Sequence, residues 1–179
     1  EIRLPLKEPF RISSGIVSER RIALLELRDE SGATAWSECV AGESPNYSPE
    51  TIDTAWLAIT EWLAPRVLHH RFELPGNVLS TLEQDIRGHL MAKAAVEMAA
   101  YDLAGRALGV PVWALLGGRA RARVPVTHSI GLLPIEEAVR ECAQVVKEGI
   151  RTIKIKVGVE PRRDIEIVRV VRNAVGPAV

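Results

Sequence analysis

The sequence predicts an α+β domain over residues 1–120, followed over 121–179 by the first two βα units of a parallel sheet or a (β/α) TIM-type barrel. Three observations carry this reading. The opening third has strand patterns separated by turn signals; the middle has helical periodicity with helix start and stop residues. After Arg119-Ala120-Arg121-Ala122-Arg123 the pattern becomes strand, helix, strand, helix at short spacing. A closed barrel needs eight such units and typically about 250 residues. The second domain therefore reads as truncated, the opening quarter of a larger one.

Ile2 to Leu6 reads as a short edge strand, because Pro5 cannot donate to a ladder. Pro9 to Gly15 reads as a polar loop and Arg21 to Arg28 as a strand. Asp29-Glu30-Ser31-Gly32 is a turn, returning as a strand over Ala33 to Val40. Ala41 to Ser48 reads as a second Gly/Pro loop. Ser48-Pro49-Glu50 then supplies an N-cap, a proline and an acid for a helix bearing Ile52, Ala55, Trp56, Ile59 and Leu63 on one face and ending near Pro65. Val78 to Ile86 reads as a short helix. Met91 to Leu108 is the strongest, ended by Gly109 and Pro111, with Ala92, Ala95, Ala99 and Ala100 permitting close packing. Lys93, Glu97 and Asp102 along it read as surface ion pairs. In the second domain the expected elements are strand Val124–Ile130, helix Pro134–Glu148, strand Arg151–Val157 and helix Pro161–Val175.

The 179 residues are 47% hydrophobic, and 23 basic residues balance 23 acidic ones, giving a formal net charge of zero. Neither a polyanion nor a nucleic acid is an expected partner. No apolar run is long enough to span a bilayer, so no membrane association is expected and the location reads as cytoplasmic. Cys39 and Cys142 fit no metal-ligand spacing and read as buried free thiols.

Lys154 and Lys156 in Thr152-Ile153-Lys154-Ile155-Lys156-Val157-Gly158 stand out. Alternation puts them on one strand face and Ile153, Ile155 and Val157 on the other. One reading is an edge strand with solvated lysines. The other is a base: one ammonium beside another, partly desolvated, favours a neutral lysine that accepts a proton. Ligands gather at the carboxyl ends of parallel strands, where both lysines and Ser129 are expected. Ser129 is a candidate contact, or a hydroxyl bonded to neighbouring backbone. His128 falls on the apolar face and reads as a core or helix-contacting histidine. The loops Arg11–Arg20 and Ala41–Ser48 could act as lids. There is no Gly-rich phosphate loop, nucleophile elbow or convincing metal-ligand set.

Gly88-His89-Leu90-Met91-Ala92-Lys93-Ala94-Ala95-Val96-Glu97-Met98-Ala99 followed by Lys-Ile-Lys resembles the enolase superfamily. With Arg11 to Gly15, Glu38 to Gly42 and Tyr47-Ser48, the likeness is to its muconate lactonizing enzyme subgroup, and there to o-succinylbenzoate synthases and N-succinylamino acid racemases. The resemblance implies an N-terminal capping domain over a barrel mouth and abstraction of a proton α to a carboxylate. Lys156 matches the acid/base lysine, Lys154 its partner, and Ser129 a substrate-contacting position. Ser14 and Tyr47 fall on the cap loops and are taken as substrate-binding. A small-molecule carboxylate is the implied substrate, Mg²⁺ the cofactor and a homo-oligomer the assembly. The family's metal-ligating carboxylates and second catalytic lysine would lie beyond Val179, with no metal ligand in these residues. Dipeptide epimerase or muconate-type cycloisomerase activity, or a non-catalytic remnant, are the alternatives.

Overall fold

The computed structural model describes residues 1–13 and 15–179. Contacts divide the chain into two compact units, one of Glu1–Pro5 with Glu19–Ala120 and one of Leu6–Ser18 with Arg121–Val179.

Strands β1 (Ile2–Ile12), β2 (Gly15–Arg28) and β3 (Thr34–Cys39) form a sheet in that order. β2 and β3 are antiparallel, with Ala23 opposite Cys39 and Arg28 opposite Thr34. Their turn is built by Asp29, whose carboxylate accepts from the amides of Ser31 and Ala33 and from the Ser31 hydroxyl. This is the local bonding that makes Asp a turn residue. The expected loops Pro9–Gly15 and Arg11–Arg20 are largely strand. Ile2, Leu6, Phe10 and Ile12 are the partly buried residues of β1, so its two-residue period continues through the polar stretch.

The first helix also differs at both ends. Its N-cap is Thr51, which accepts from the Thr54 amide while the Thr54 hydroxyl accepts from the Thr51 amide. This reciprocal box replaces the expected Ser48 cap. Helix α1 (Ile52–Ala58) runs through a π-helical turn (Ile59–Leu63) into α2 (Ala64–Val67). Pro65 sits in the first turn of α2, where its missing N–H is tolerated, so the helical path passes it. Ile52, Ala55, Ala58 and Leu63 are buried, but Trp56 is 48% exposed.

Helices α3 (Gly76–Glu83), α4 (Leu90–Leu108) and α5 (Val112–Leu115) complete this unit. α4 packs on β3. Ala92, Ala95 and Ala99 are buried along it, and the Ser37 hydroxyl reaches the Ala95 carbonyl at 2.6 Å. His89, before the helix, has a left-handed backbone and provides no side-chain cap. Glu50 supplies one instead: its buried carboxylate accepts from the Met91 and Ala92 amides at 2.9 and 3.1 Å. Its role is thus at α4, not at the start of α1. Lys93 corrects a further expectation. It is buried, its ammonium donating to the Ile86 carbonyl at 2.6 Å, because the face it occupies is the packed one. Asp102 does pair on the surface, with Arg106 at 2.8 Å, and also accepts from the Trp36 amide. Those bonds, Arg106 first, hold its carboxyl below the usual range.

In the second unit, β4 (Thr127–Ile130) and β5 (Thr152–Ile155) are parallel, followed respectively by α6 (Ile135–Lys147) and α7 (Pro161–Val175). Ile130, Ala138, Cys142, Ile167 and Val171 are buried together, with Ile153 and Ile155 packed against them. Cys39 and Cys142 are buried free thiols, and burial pushes both upward in pKa. No helix among the described residues is long and apolar enough to cross a membrane.

Candidate active site

The parallel register pairs Thr127 with Thr152, His128 with Ile153, Ser129 with Lys154 and Ile130 with Ile155. Ile130, Ile153 and Ile155 face the helices, so alternation turns Ser129 and Lys154 to the opposite side. Both are exposed there. Lys156 follows the last residue of β5. Its amide donates to the Ile130 carbonyl at 3.2 Å, extending the ladder by one bond, and its side chain is half-buried. The strand therefore delivers the two lysines differently: Lys154 in the open, Lys156 at the carboxyl end where the chain begins to turn. His128 lies on the helix side, its Nε2 2.6 Å from Glu141 on α6. That is the helix contact its position implies.

The tip of the β1–β2 hairpin belongs to this unit and meets the same carboxyl ends. The Leu132 amide donates to the Arg11 carbonyl at 3.0 Å. A Cβ added at Gly131 would lie 3.1 Å from that carbonyl and 3.6 Å from the Phe10 ring. Gly131 thus permits a backbone approach that a side chain would obstruct. After β5, a Cβ at Gly158 would meet Ser13 at 3.6 Å. Phe10, Arg11 and Ser13 are therefore seated against the two loops that follow the strands bearing Ser129 and Lys154. Ser14, a candidate contact, lies outside the described residues.

The first turn of α7 supports these loops from the helix side. Glu160 caps the helix, accepting from the Arg162 and Arg163 amides. Arg163 donates to the Leu133 carbonyl, and Asp164 accepts from the Gly158 amide at 2.8 Å. A cleft of about 520 Å³ is lined by Arg11, Leu132, Leu133, Pro134, Glu137 and Arg163. None of these supports was identified from sequence. A glycine just past each strand and an acid in the first helical turn were the available signals.

Tyr47 belongs to the other unit. It is 91% exposed, on a loop whose ends are joined by the Ile52 amide donating to the Gly42 carbonyl at 2.9 Å. Among the described residues there is no group of three His, Cys, Asp or Glu side chains able to hold a metal ion. The residues present do not fit a Mg²⁺ site by themselves.

Residues 1–117 match the mandelate racemase / muconate lactonizing enzyme N-terminal domain, and residues 137–179 match the enolase C-terminal domain-like family. The chain is 35% identical over 172 residues to an o-succinylbenzoate synthase of Bacillus subtilis, covering 96% of this chain and 45% of that protein. It is 38% identical over 174 residues to an N-succinylamino acid racemase of Thermus thermophilus, covering 97% and 46%. A dipeptide epimerase of Cytophaga hutchinsonii, solved with Mg and D-Ala-L-Val, superposes with a TM-score of 0.86 at 27% identity, covering 100% of this chain and 48% of that one. The chain thus spans about half the length of the relatives it matches. With a family match across its first 117 residues, the chain belongs to the mandelate racemase / muconate lactonizing enzyme family of the enolase superfamily.

Proposed function

We propose that the protein abstracts a proton α to a carboxylate, with Lys156 as the base and Lys154 as its electrostatic partner. The substrate is a small carboxylate, and the outcome is dehydration to o-succinylbenzoate, racemisation of an N-succinylamino acid, or both. The observation that carries this reading is the placing of Ser129, Lys154 and Lys156 at the carboxyl ends of two adjacent parallel strands, where the hairpin tip also arrives. In this reading residues 121–179 are the opening of a (β/α) barrel, residues 1–120 its capping domain, and that end the mouth. The names of the Bacillus and Thermus relatives support the choice of reactions.

The chemistry follows from what the proton requires. A hydrogen α to a carboxylate is very weakly acidic, so removing it needs a base held in line and positive charge near the developing enolate. Lys156 is half-buried at the turn, so it meets a substrate without full hydration. Lys154, two residues earlier and within β5, would present an ammonium to the carboxylate. Ser129, its register partner, can donate a hydroxyl proton to a substrate oxygen. Tyr47 and Ser14 are proposed to contact the substrate's remoter part. A divalent cation would stabilise the enolate when bound. The described residues provide no ligand set for it.

The test is exchange in deuterated water with Mg²⁺, using the full-length protein. The panel is a set of N-succinyl-L-amino acids, a set of dipeptides, and the hydroxylated precursor of o-succinylbenzoate. Exchange of the α-proton of an N-succinylamino acid, or dehydration of the precursor, is the expected result. Turnover of dipeptides alone would move the assignment to the epimerases, and no turnover or exchange with any of these would refute the reading.

A further inference from the structure

We propose that Asp164 is a positioning residue for Lys156, fixing the turn that carries it through the Gly158 amide. This rests on the reading of Lys156 as the base. Lys156 and Gly158 are two residues apart, and each has a backbone anchor. The Lys156 amide is tied to Ile130 on β4, and the Gly158 amide is tied to the Asp164 carboxylate at 2.8 Å. Between these anchors only Val157 is without a backbone tether of this kind, so the direction in which Lys156 leaves the strand depends on both.

Asp164 is not occupied by the usual work of an acid in a first helical turn. Glu160 already accepts from the Arg162 and Arg163 amides, satisfying the donors that an N-cap serves. Asp164, with its side chain only 17% exposed, reaches back to the loop instead. Its other oxygen is buried and has no hydrogen-bond partner among the described residues, lying 4.0 Å from the Arg163 guanidinium. The loop it grips also adopts a left-handed backbone at Gly158, with φ 111°, and faces Ser13 of the hairpin tip. Asp164 on one side and the hairpin on the other thus bracket the turn that bears Lys156. Arg163 grips the companion loop after β4 through the Leu133 carbonyl, so one helical turn sets both strand ends.

The experiment compares Asp164→Ala, Asp164→Asn and Lys156→Ala in the full-length protein, using N-succinyl-L-phenylalanine with Mg²⁺, or whichever panel compound turns over fastest. Asp164→Ala is expected to lower kcat for α-proton exchange about tenfold with little change in KM, since one hydrogen bond to a charged group is worth roughly that factor. The Gly158 amide, followed by NMR, should exchange with solvent about tenfold faster. Asp164→Asn keeps an oxygen acceptor and should restore both to within about threefold of the parent. Should Asp164→Ala not fold, Asp164→Ser, whose hydroxyl stops short of Gly158, replaces it with the same expectations. An unchanged kcat or unchanged Gly158 exchange in Asp164→Ala would overturn the inference, as would equal loss in the Ala and Asn variants. Lys156→Ala separates the two levels: if it retains parental activity the base assignment fails, whereas its inactivity beside an unaffected Asp164→Ala defeats the positioning role alone.

Discussion

Ser129 and Lys154 are register partners in the parallel β4–β5 ladder, so their side chains leave the same side of the sheet, opposite the buried Ile130 and its helices. That single pairing gives a polar strand face a neighbour of complementary chemistry: a hydroxyl beside an ammonium, both able to donate to a carboxylate. Ser129→Ala should therefore weaken substrate binding. One lost hydrogen bond to a charged carboxylate corresponds to about a tenfold or greater rise in KM with kcat within about threefold. Steady-state kinetics reads it, and an unchanged KM would remove Ser129 from the site.

The Gly131 approach to Arg11 predicts a different signature. In Gly131→Val the new side chain meets a backbone carbonyl already 3.1 Å from the Cβ position, so the hairpin tip must shift. The ratio of kcat/KM between two substrates of different side chain should change by about tenfold or more, because binding energy remote from the reacting atoms is what the tip would supply. Equal loss on both substrates would mean the tip does not shape selectivity.

Glu50 predicts a stability effect in the other unit. It caps α4 with two amide bonds, 41 and 42 residues along the chain. Glu50→Ala leaves those buried donors unpaired and should destabilise the fold by about 2–4 kcal/mol, with Glu50→Gln costing less. Urea unfolding measures it; a loss within about 0.5 kcal/mol of zero would show that the cap is replaceable by water.

Arg21 predicts a pH dependence. Its guanidinium binds Glu1 at 2.9 and 3.0 Å, Glu43 at 2.9 Å and Asp53 at 2.7 Å. The bonds to Arg21 hold the carboxyls of Glu1 and Asp53 below their ordinary values, and Glu1 foremost raises the guanidinium above its own. A depressed folded pKa contributes stability above the unfolded value, near pH 4, that disappears as pH falls through the folded value. Thermal unfolding between pH 6 and pH 3 should show a fall in midpoint that Arg21→Gln makes shallower. Parallel curves for the two proteins would contradict this.

Much of this arrangement was legible in the sequence, and the exceptions share a cause. The period of two identified β5, with Ile153 and Ile155 on its packed side; Pro161 and Gly176 bounded α7 to the residue. Small alanines announced the close approach of α4 to β3. What escaped was long-range. Glu50 looked like the local acid of α1, but its partners are at Met91 and Ala92. Lys93 looked like a surface charge because no local pattern shows a carbonyl waiting at Ile86. The polar residues of the β1–β2 hairpin resembled a loop because their partners are the loops after β4 and β5, more than 100 residues away. Periodicity reports which face is buried; it does not report what lies against a polar group.

The proposed removal of the α-proton by Lys156 is tested by α-proton exchange in deuterated water, comparing the full-length protein with its Lys156→Ala variant. Loss of a positioned general base typically costs about 10²–10⁴ in rate. A fall of that size is expected in Lys156→Ala, with the fold intact by circular dichroism. Parental exchange in the variant would contradict it.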